Sequence, residues 1–473
     1  MRFHRAVFVG GLMALLGTTA GGCAPVESST AGKPGPAIAA GLFYPTTFTL
    51  KNGMDVIVVP NHRAPVVIHQ VWYRTGAADD APGHAGLAHY LEHLMFKGTK
   101  RHPGGTFSRL VSSHGGHDNA FTSYDTTTYT QTVPADRLEL VMRLEADRMA
   151  GLHFPVAQGL TERDVVLSER RERTDDEPSG RLWEQMRKAL YGVSPYGRPV
   201  IGTAEEIKGL TPALALERHK KNYAPNNAIL VVSGDVEPQK VLKLAEKTYG
   251  RLPRRFVPPR DRARDPMDRT ARPAQIKVCD AGLRQASWQR WGRAPKASDP
   301  RSAAFEVLAD ILGGGRTSRL YRRLVMEDKI ATGASTSYQG EAWDEGMMTL
   351  SVSPMKDSLG KIDAVMAEET ARLVRDGVTA QETAEAIERL KRMGILARDD
   401  VTDPAQVLGL SVATGQSVAD VESWPARIAA VTPEQVQQAA KDVFGRTGGW
   451  VTGWLLPQEQ CAQIADNAAQ QEP

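Results

Sequence analysis

A weak internal repeat constrains the fold of this chain more than any other feature of its sequence. Thr211-Pro212 and Thr432-Pro433 lie 221 residues apart, and each pair is followed by a break and then an apolar stretch, at 228–233 and 450–455. Threonine is a preferred N-cap and proline suits the first helical turn, so both pairs predict helix starts. The apolar stretches have the length and composition of strands. The sequence therefore predicts two homologous α+β halves.

A proline-rich stretch separates the two copies of the repeat. Residues 256–273 contain four prolines among arginines and show no periodicity, which is typical of an interdomain linker. Near the start of the first half, 46–50 and 56–59 flank Asn52-Gly53, which predicts a β-hairpin. The expected units are a signal (1–23), a tether (24–41), the first half (42–255), the linker (256–273), the second half (274–458) and a C-terminal tail (459–473).

The N-terminus predicts export. A basic start, an apolar run to about residue 16 and small residues before Cys23 are typical of a secretory signal, and the run is too short for a membrane span. Cys23 after Ala20-Gly21-Gly22 resembles a bacterial lipoprotein processing site. We therefore expect a periplasmic protein or a membrane-anchored lipoprotein of a bacterium. Ordinary cleavage that releases a soluble periplasmic product is the alternative.

Composition narrows the classes of partner. The chain has 473 residues, 41% of them hydrophobic, and a formal net charge of +3, which is too balanced to indicate a nucleic-acid binder. Proteins or peptides are the expected partners. Two cysteines, Cys279 and Cys461, could pair in an oxidising compartment, but the sequence does not show whether their Cα atoms approach closely enough.

The stretch at 84–99 contains His89-Tyr90-Leu91-Glu92-His93. In a helix, His89 and His93 lie one turn apart on one face, where two imidazoles can hold one metal ion. Glu92 lies beside them and can accept a proton from a metal-bound water. This His-x-x-Glu-His order is the inverzincin signature. The alternative is a pair of histidines that are satisfied in the core or exposed on the surface.

A second stretch, at 161–171, contains carboxylates that could supply the third protein ligand that a catalytic zinc usually needs. Glu162 and Glu169 lie seven residues apart, two helical turns, so their carboxylates project from the same side of a helix.

Together, these two stretches resemble the M16 family of zinc metallopeptidases, which includes pitrilysin, insulin-degrading enzyme and the mitochondrial processing peptidase. The resemblance implies one zinc ion per chain, held by His89, His93 and Glu169, with Glu92 as general base. It also implies that Glu162 orients a ligand imidazole; a solvated carboxylate in a charged helix is the alternative for Glu162.

The segment 115–123 also resembles the M16 pattern, in which an edge strand beside the zinc receives the substrate as an added strand. Asn119 matches the family asparagine that contacts the substrate backbone, and Ala120 matches the neighbouring strand position. Three further histidines, at positions 84, 114 and 117, are expected in loops or on the surface rather than at the metal.

In the second half, the glycine-rich stretch 312–321 resembles the start of the non-zinc half of M16 proteins. Many members carry an arginine and a tyrosine after it that help to stabilise the transition state, but Val325 and Thr332 occupy those positions here. Such donors are typically worth about 10²-fold or more in rate. We therefore expect a heterodimer with an M16-like chain that supplies the Arg/Tyr pair. The competing explanations are a shifted alignment, or substitution by Arg322, Arg323 or Tyr338.

The resemblance implies an α+β fold in which two homologous α/β-sandwich domains face each other as half-shells around an extended peptide. The expected activity is that of a zinc metalloendopeptidase of the small, zinc-bearing bacterial subunit type. A structural or assembly subunit that keeps the fold without cleaving peptides is the alternative, and a zinc-binding but inert protein is a third possibility.

Overall fold

A computed structural model describes residues 41–262, 274–445 and 449–464. The expected signal, Cys23 and nearly all of the tether lie outside the described residues, as do most of the linker and the end of the tail, so export and lipidation stay predictions. Among the described residues, every helix is too short or too polar to cross a lipid bilayer.

The first half is built on a six-stranded sheet with the strand order β1-β2-β6-β3-β5-β4. β2 and β6 are parallel and the other neighbours are antiparallel. The predicted hairpin is confirmed, since β1 and β2 pair around a turn in which Gly53 has a φ of 89°. The strands are β1 Thr46–Thr49, β2 Asp55–Pro60, β3 Val66–Tyr73, β4 His117–Thr122, β5 Thr127–Pro134 and β6 Ala228–Gly234.

Eight α-helices accompany this sheet in the described part of the first half. They are α1 Leu87–Leu94, α2 Thr106–Ser113, α3 Leu138–Ala150, α4 Val156–Arg170, α5 Pro178–Tyr191, α6 Ala204–Gly209, α7 Pro212–Asn222 and α8 Pro238–Lys247. α4 begins directly after Pro155 and continues as a π-helical turn, Arg171–Asp175.

The second half repeats this architecture. Its sheet has the order β7-β11-β8-β10-β9, with β7 and β11 parallel, which matches β2-β6-β3-β5-β4 strand for strand. The prediction of two homologous α+β halves is therefore confirmed. The strands are β7 Ala274–Asp280, β8 Ser287–Ala294, β9 Ala331–Gln339, β10 Gly346–Pro354 and β11 Trp450–Pro457.

The helices of the second half include the second predicted helix start. Thr211 caps α7 by accepting from Leu214 N, and Thr432 caps α16 by accepting from Gln435 N. The helices are α9 Ser302–Gly313, α10 Arg319–Tyr321, α11 Leu359–Asp376, α12 Ala380–Ala397, α13 Asp403–Ala413, α14 Val418–Glu422, α15 Trp424–Ala429 and α16 Pro433–Phe444.

The two halves exchange a helix. α5 of the first half packs on β7 and β11, and α13 of the second half packs on β3 and β6. Glycines make both contacts close. A Cβ at Gly453 in β11 would lie 2.2 Å from Met186 Sδ, and one at Gly409 in α13 would lie 2.1 Å from Trp72 Nε1. The halves therefore share apolar cores in addition to their own.

Two further contacts tie the chain together. Arg262, at the end of the described linker, forms ion pairs with Asp79, Asp125 and Asp344, and so joins loops of both halves. A disulfide links Cys279 in β7 to Cys461 in the short 3-10 helix Gln458–Gln463, with the two Cα atoms 6.0 Å apart. The sequence left this pairing open.

Candidate metal centre

The start of α1 fixes the orientation of the His-x-x-Glu-His motif. Gly86 has a φ of 92°, and a Cβ there would lie 2.3 Å from Ile201 O, so the turn requires glycine. Asp80 accepts hydrogen bonds from Gly86 N (3.0 Å) and Ala88 N (3.2 Å), which satisfies two N–H groups of the first turn. α1 buries its apolar face in the core of the first half, so the motif histidines face the opposite side, toward α4.

The structure brings the three predicted ligands together. His89 Nε2 lies 3.8 Å and His93 Nε2 lies 3.2 Å from Glu169 Oε2. One donor atom from each residue falls within 4.8 Å of the other two. Tetrahedral zinc with ligand bonds of about 2.0–2.1 Å separates its ligand atoms by about 3.3 Å, so this set fits the ion.

Glu162 and Arg173 hold two of the ligand side chains by the atoms that do not face the metal site. His93 Nδ1 donates to Glu162 Oε1 at 2.9 Å, which turns His93 Nε2 toward Glu169 Oε2 and the other donor atoms. Glu162 also pairs with Lys97 at 2.5 Å, and its side chain is only 12% exposed, which argues against a solvated carboxylate. Arg173 binds Glu169 Oε1 at 2.6 Å, so Oε2 is the oxygen left for a metal.

Burial and neighbouring charges give the groups of the site different proton affinities. Burial raises the pKa of Glu92 to about 7, against a hydrogen bond that Thr122 Oγ1 donates to Glu92 Oε2 at 2.6 Å. Burial, helped by the nearby His93, lowers the pKa of His89 to about 4, so its imidazole is neutral. Burial opposes the shift at Glu169, but the hydrogen bond from His93 and the charge of Arg173 lower the pKa of Glu169 to about 2.

His93 carries the proton in this arrangement. Burial acts to lower its pKa, but the hydrogen bonds to Glu162 and Glu169 outweigh burial and raise the pKa to about 9. A dication bound between the same groups would compete with the proton on Nε2, because a metal-ligating histidine must be neutral at the nitrogen that binds.

A cavity of about 470 Å³ opens over these groups and is lined by α1, β4, α4 and Arg173 of the π-helical turn. Asn119 and Ala120 lie on β4 and line this cavity, as does Phe96 after α1. β4 is the edge strand of its sheet, as the sequence predicted. Asn119 is exposed, and its side-chain oxygen accepts only from Ala120 N among the described contacts.

Among the residues that the structure describes, every one lining the cavity belongs to the first half. Val325 packs against the core of the second half, and Thr332 donates to Ser353 O. Two of the three residues that could substitute for the Arg/Tyr pair have other partners. Tyr338 donates to Pro295 O, and Arg323 pairs with Asp328. Substitution for the missing donors by these residues is therefore not supported.

Sequence reasoning missed three residues of the site. Lys97 and Arg173 each follow a predicted ligand by four residues on a helical segment, a spacing that could have indicated them. Thr122 has no such signal, because the pairing of β4 with β5 brings it to Glu92 from 30 residues away.

Comparison with known proteins decides the family. A profile described as insulinase, peptidase family M16, matches residues 55–204, and one described as the peptidase M16 inactive domain matches 209–390. A zinc protease of Mycobacterium leprae, named as uncharacterised, is 30% identical over 406 residues, covering 85% of this chain and 89% of the relative. The chain belongs to the M16 peptidase family. All three converging donors lie in the part that matches the first profile.

Other M16 relatives agree in sequence and fold. The zinc protease PqqE of Helicobacter pylori is 34% identical over 290 residues, and the match spans 60% of this chain and 65% of PqqE. A protease from Helicobacter pylori has a solved structure with a TM-score of 0.78 and 27% identity, covering 87% of this chain and 99% of that one. The α+β two-domain M16 fold is thus confirmed.

One structural match relates the fold of this chain to part of a longer protein. The first half of the periplasmic protease PqqL of Escherichia coli superposes with a TM-score of 0.77 at 21% identity, covering 92% of this chain and 96% of that half. Against the longer PqqL structure, the present chain covers only 49% of the length. This M16 chain therefore has the fold of one half of a longer protein.

Proposed function

We propose that this M16 chain is a zinc-dependent endopeptidase whose single zinc ion is held by His89, His93 and Glu169. The observation that carries the proposal is the convergence of these three donors next to Glu92, a buried carboxylate that is not part of the donor group. The names of the relatives, which are zinc proteases, support the same metal and the same type of reaction.

Zinc in this position would polarise the scissile carbonyl and lower the pKa of a water molecule. Glu92 would take a proton from the attacking water and return it to the leaving amine as the peptide bond breaks. A pKa of about 7 suits both directions of transfer at neutral pH. Thr122 occupies Glu92 Oε2, so the other carboxylate oxygen is the one that handles the proton.

The peptide binds as an extended strand along the free edge of β4. Main-chain hydrogen bonds then supply most of the affinity, which makes the site tolerant of side-chain sequence. Asn119 and Ala120 contact the substrate backbone, and their position on the edge strand and in the cavity wall supports this role.

A partner chain completes the active unit. Within the described part of the chain, the cavity is lined by residues of the first half, and the chain covers about half of the longer PqqL structure. We propose a heterodimer with an M16-like chain whose arginine and tyrosine reach over this cavity. One missing oxyanion donor costs about 10²–10³ in rate, so the chain alone should be a slow enzyme.

A non-catalytic assembly subunit is the second candidate. The absence of the Arg/Tyr pair from this chain favours it, whereas the convergence of Glu92 with a full ligand set favours peptidase action. Glu92→Gln separates the two, because it removes the proton acceptor and keeps the shape and the zinc ligands. Loss of cleavage with retained zinc supports the peptidase.

The test uses the purified mature chain, with measured zinc content, on a quenched-fluorescent peptide library. The chain is assayed alone and with co-expressed M16-like chains that carry the Arg/Tyr pair. We expect slow cleavage alone, acceleration by a partner, and loss on chelation or in Glu92→Gln but not in the exposed control Glu205→Gln. A zinc-loaded chain that cleaves nothing even with partners contradicts the proposal.

Export and lipidation are part of the proposal. Labelled palmitate should be incorporated into the wild-type chain and not into Cys23→Ala, which should be released from the membrane fraction. Labelling of Cys23→Ala, or no labelling of either form, contradicts the lipid anchor.

A further inference from the structure

The third ligand lies next to the exchanged helix. Glu169 is followed by Arg170, the last residue of α4, then by the π-helical turn Arg171–Asp175, and α5 begins at Pro178. The junction is tight, since a Cβ at Gly180 would lie 2.5 Å from Arg173 O. The backbone that carries Glu169 therefore cannot move far without displacing the start of α5.

A partly buried ion pair strengthens this connection. Arg170 is only 7% exposed and donates through Nη2 to Glu184 Oε2 on α5 at 3.0 Å, and through Nη1 to Gly202 O at 2.6 Å. The residue adjacent to the ligand is thus bonded directly to the exchanged helix.

The second half holds α5 at both ends and along its face. Arg181 near the start pairs with Asp280 of β7 at 2.8 Å, and Arg293 of β8 donates to Leu190 O near the end at 2.9 Å. Between them, the fully buried Met186 packs against Gly453 of β11. By contrast, His89 and His93 lie on α1, which is packed in the core of the first half.

We propose that the second half positions the zinc ligand Glu169 through α5, with Met186 and Glu184 as positioning residues. The second half thereby sets the affinity of the metal site, although none of its described residues lines the cavity. This inference rests on the proposed zinc site and does not require peptidase activity.

The helix exchange offers a matched pair of variants. Met186→Ala opens a cavity between α5 and the second sheet, and Leu408→Ala opens one between α13 and the first sheet. Both side chains are fully buried in contacts between the halves. Only α5 is continuous with the ligand-bearing helix, because α13 leads to no residue of the donor group.

Zinc affinity, measured by competition with a chromogenic chelator, should fall about 10-fold in Met186→Ala, the usual effect of losing a ligand-supporting contact. Leu408→Ala should bind zinc like the wild type while losing a similar amount of thermal stability. The visible spectrum of bound Co²⁺, which reports ligand geometry, should change in Met186→Ala only.

Glu184→Gln provides a second test that does not disturb the core, since the Glu184 side chain is 26% exposed. It should weaken zinc binding and alter the Co²⁺ spectrum, and Glu184→Asp should restore both in part. Wild-type affinity in Met186→Ala and Glu184→Gln overturns the inference, as does an equal loss in Met186→Ala and Leu408→Ala. If Met186→Ala does not fold, Glu184→Gln decides.

These outcomes are separate from those of the proposed function, because no peptide is needed. A wild-type chain that binds zinc with the expected coupling but cleaves nothing contradicts the peptidase and leaves the inference intact. Conversely, a wild-type chain that cleaves peptides supports the peptidase, and unchanged zinc affinity in Met186→Ala and Glu184→Gln then contradicts the inference alone.

Discussion

Two carboxylates that line one cavity, Glu92 and Glu169, have pKa values that are shifted in opposite directions. The pKa of Glu92 is raised to about 7 by burial, whereas Glu169, despite burial, has its pKa lowered to about 2 by His93 and by charges including that of Arg173. A permanently ionised carboxylate suits a metal ligand, and one that titrates near neutrality suits proton transfer. The division of labour proposed for Glu169 and Glu92 thus follows from their environments.

Glu162→Gln should weaken zinc binding. The glutamine can still accept from His93 Nδ1 but loses the charge that pairs with Lys97 and favours a basic imidazole. We expect about a 10-fold loss of zinc affinity in equilibrium dialysis. The exposed Glu217→Gln is the control. Unchanged affinity in Glu162→Gln would mean that the hydrogen bond does not support the ligand.

His69 should make the fold sensitive to acid. Burial lowers its pKa to about 4, below the ordinary 6.5, and its ring nitrogens bond Gln131 and Tyr249. Between these two values the unfolded state binds the extra proton, so its contribution is complete above pH 6.5 and is lost as the pH falls to about 4.

We expect the free energy of unfolding to fall by about 1.4 kcal/mol per pH unit in this window on account of His69. Urea unfolding of the metal-free chain at several pH values should show a shallower pH dependence for His69→Gln than for the wild type. His89 and His219, whose pKa values burial also lowers to about 4, leave a residual slope. Identical slopes would contradict the assignment.

At the level of single residues, the sequence predicted those groups that one helix relates to one another. His89, Glu92 and His93 follow from helical spacing, and the resemblance to M16 proteins added Glu169 from a second helix. Thr122 could not be found, because its place beside Glu92 depends on the register between β4 and β5.

At the scale of whole elements, the sequence predicted the helices that begin at a local cap. α7 and α16 begin where Thr-Pro indicated, since a cap involves only neighbouring residues. The exchange of α5 and α13 was not predictable, because an apolar helix face is compatible with either sheet. Close fit between side chains decides which sheet a helix packs on. At Gly453, for example, the missing side chain leaves the space that Met186 fills.

Asp80 should make a large contribution to the stability of helix α1 and its surroundings. Its carboxylate caps the helix and forms a 2.8 Å pair with Arg218, and both side chains are almost fully buried. Asp80→Ala leaves Arg218 buried and unpaired, which typically costs about 3–5 kcal/mol.

Urea unfolding measures that cost, and Asp80→Asn separates the two roles, since the amide oxygen can still cap α1 but carries no charge for Arg218. We expect Asp80→Asn to lie between the wild type and Asp80→Ala. A loss below about 1 kcal/mol in Asp80→Ala, the size of an ordinary exposed pair, would show that the pair is not effectively buried.

At the scale of the molecule, duplicated halves have diverged where the site lies. α9 and β9 occupy the places that α1 and β4 hold in the first half. At Gly313, the end of α9 approaches β9 so closely that a Cβ would lie 2.2 Å from Thr336 N. The described part of the second half contains no His/Cys/Asp/Glu group able to hold a metal. The coupling proposed through α5 would give this half a specific part in positioning the metal site.

Arg262 should stabilise the contact between the two halves. Its side chain is only 4% exposed and lies 2.8 Å from Asp79, 2.5 Å from Asp125 and 3.0 Å from Asp344. Arg262→Met leaves these carboxylates without their shared cation, so we expect a loss of about 3–5 kcal/mol at pH 7. Arg63→Met breaks an exposed pair with Asp399 and should cost about 1 kcal/mol or less.

The pH dependence of that loss identifies its cause. Burial acts to raise the pKa of Asp79, and the charge of Arg262 outweighs burial and holds the pKa below its ordinary value. Without Arg262, the two largest causes that oppose burial are lost, and the folded-state pKa of Asp79 rises, although Arg260 and Gly76 N remain beside it. The variant then binds a proton at Asp79 at a higher pH than the wild type does, so the gap in stability between the two should narrow toward pH 4. A gap that is constant from pH 4 to pH 7 would attribute the loss to packing rather than to unpaired charge.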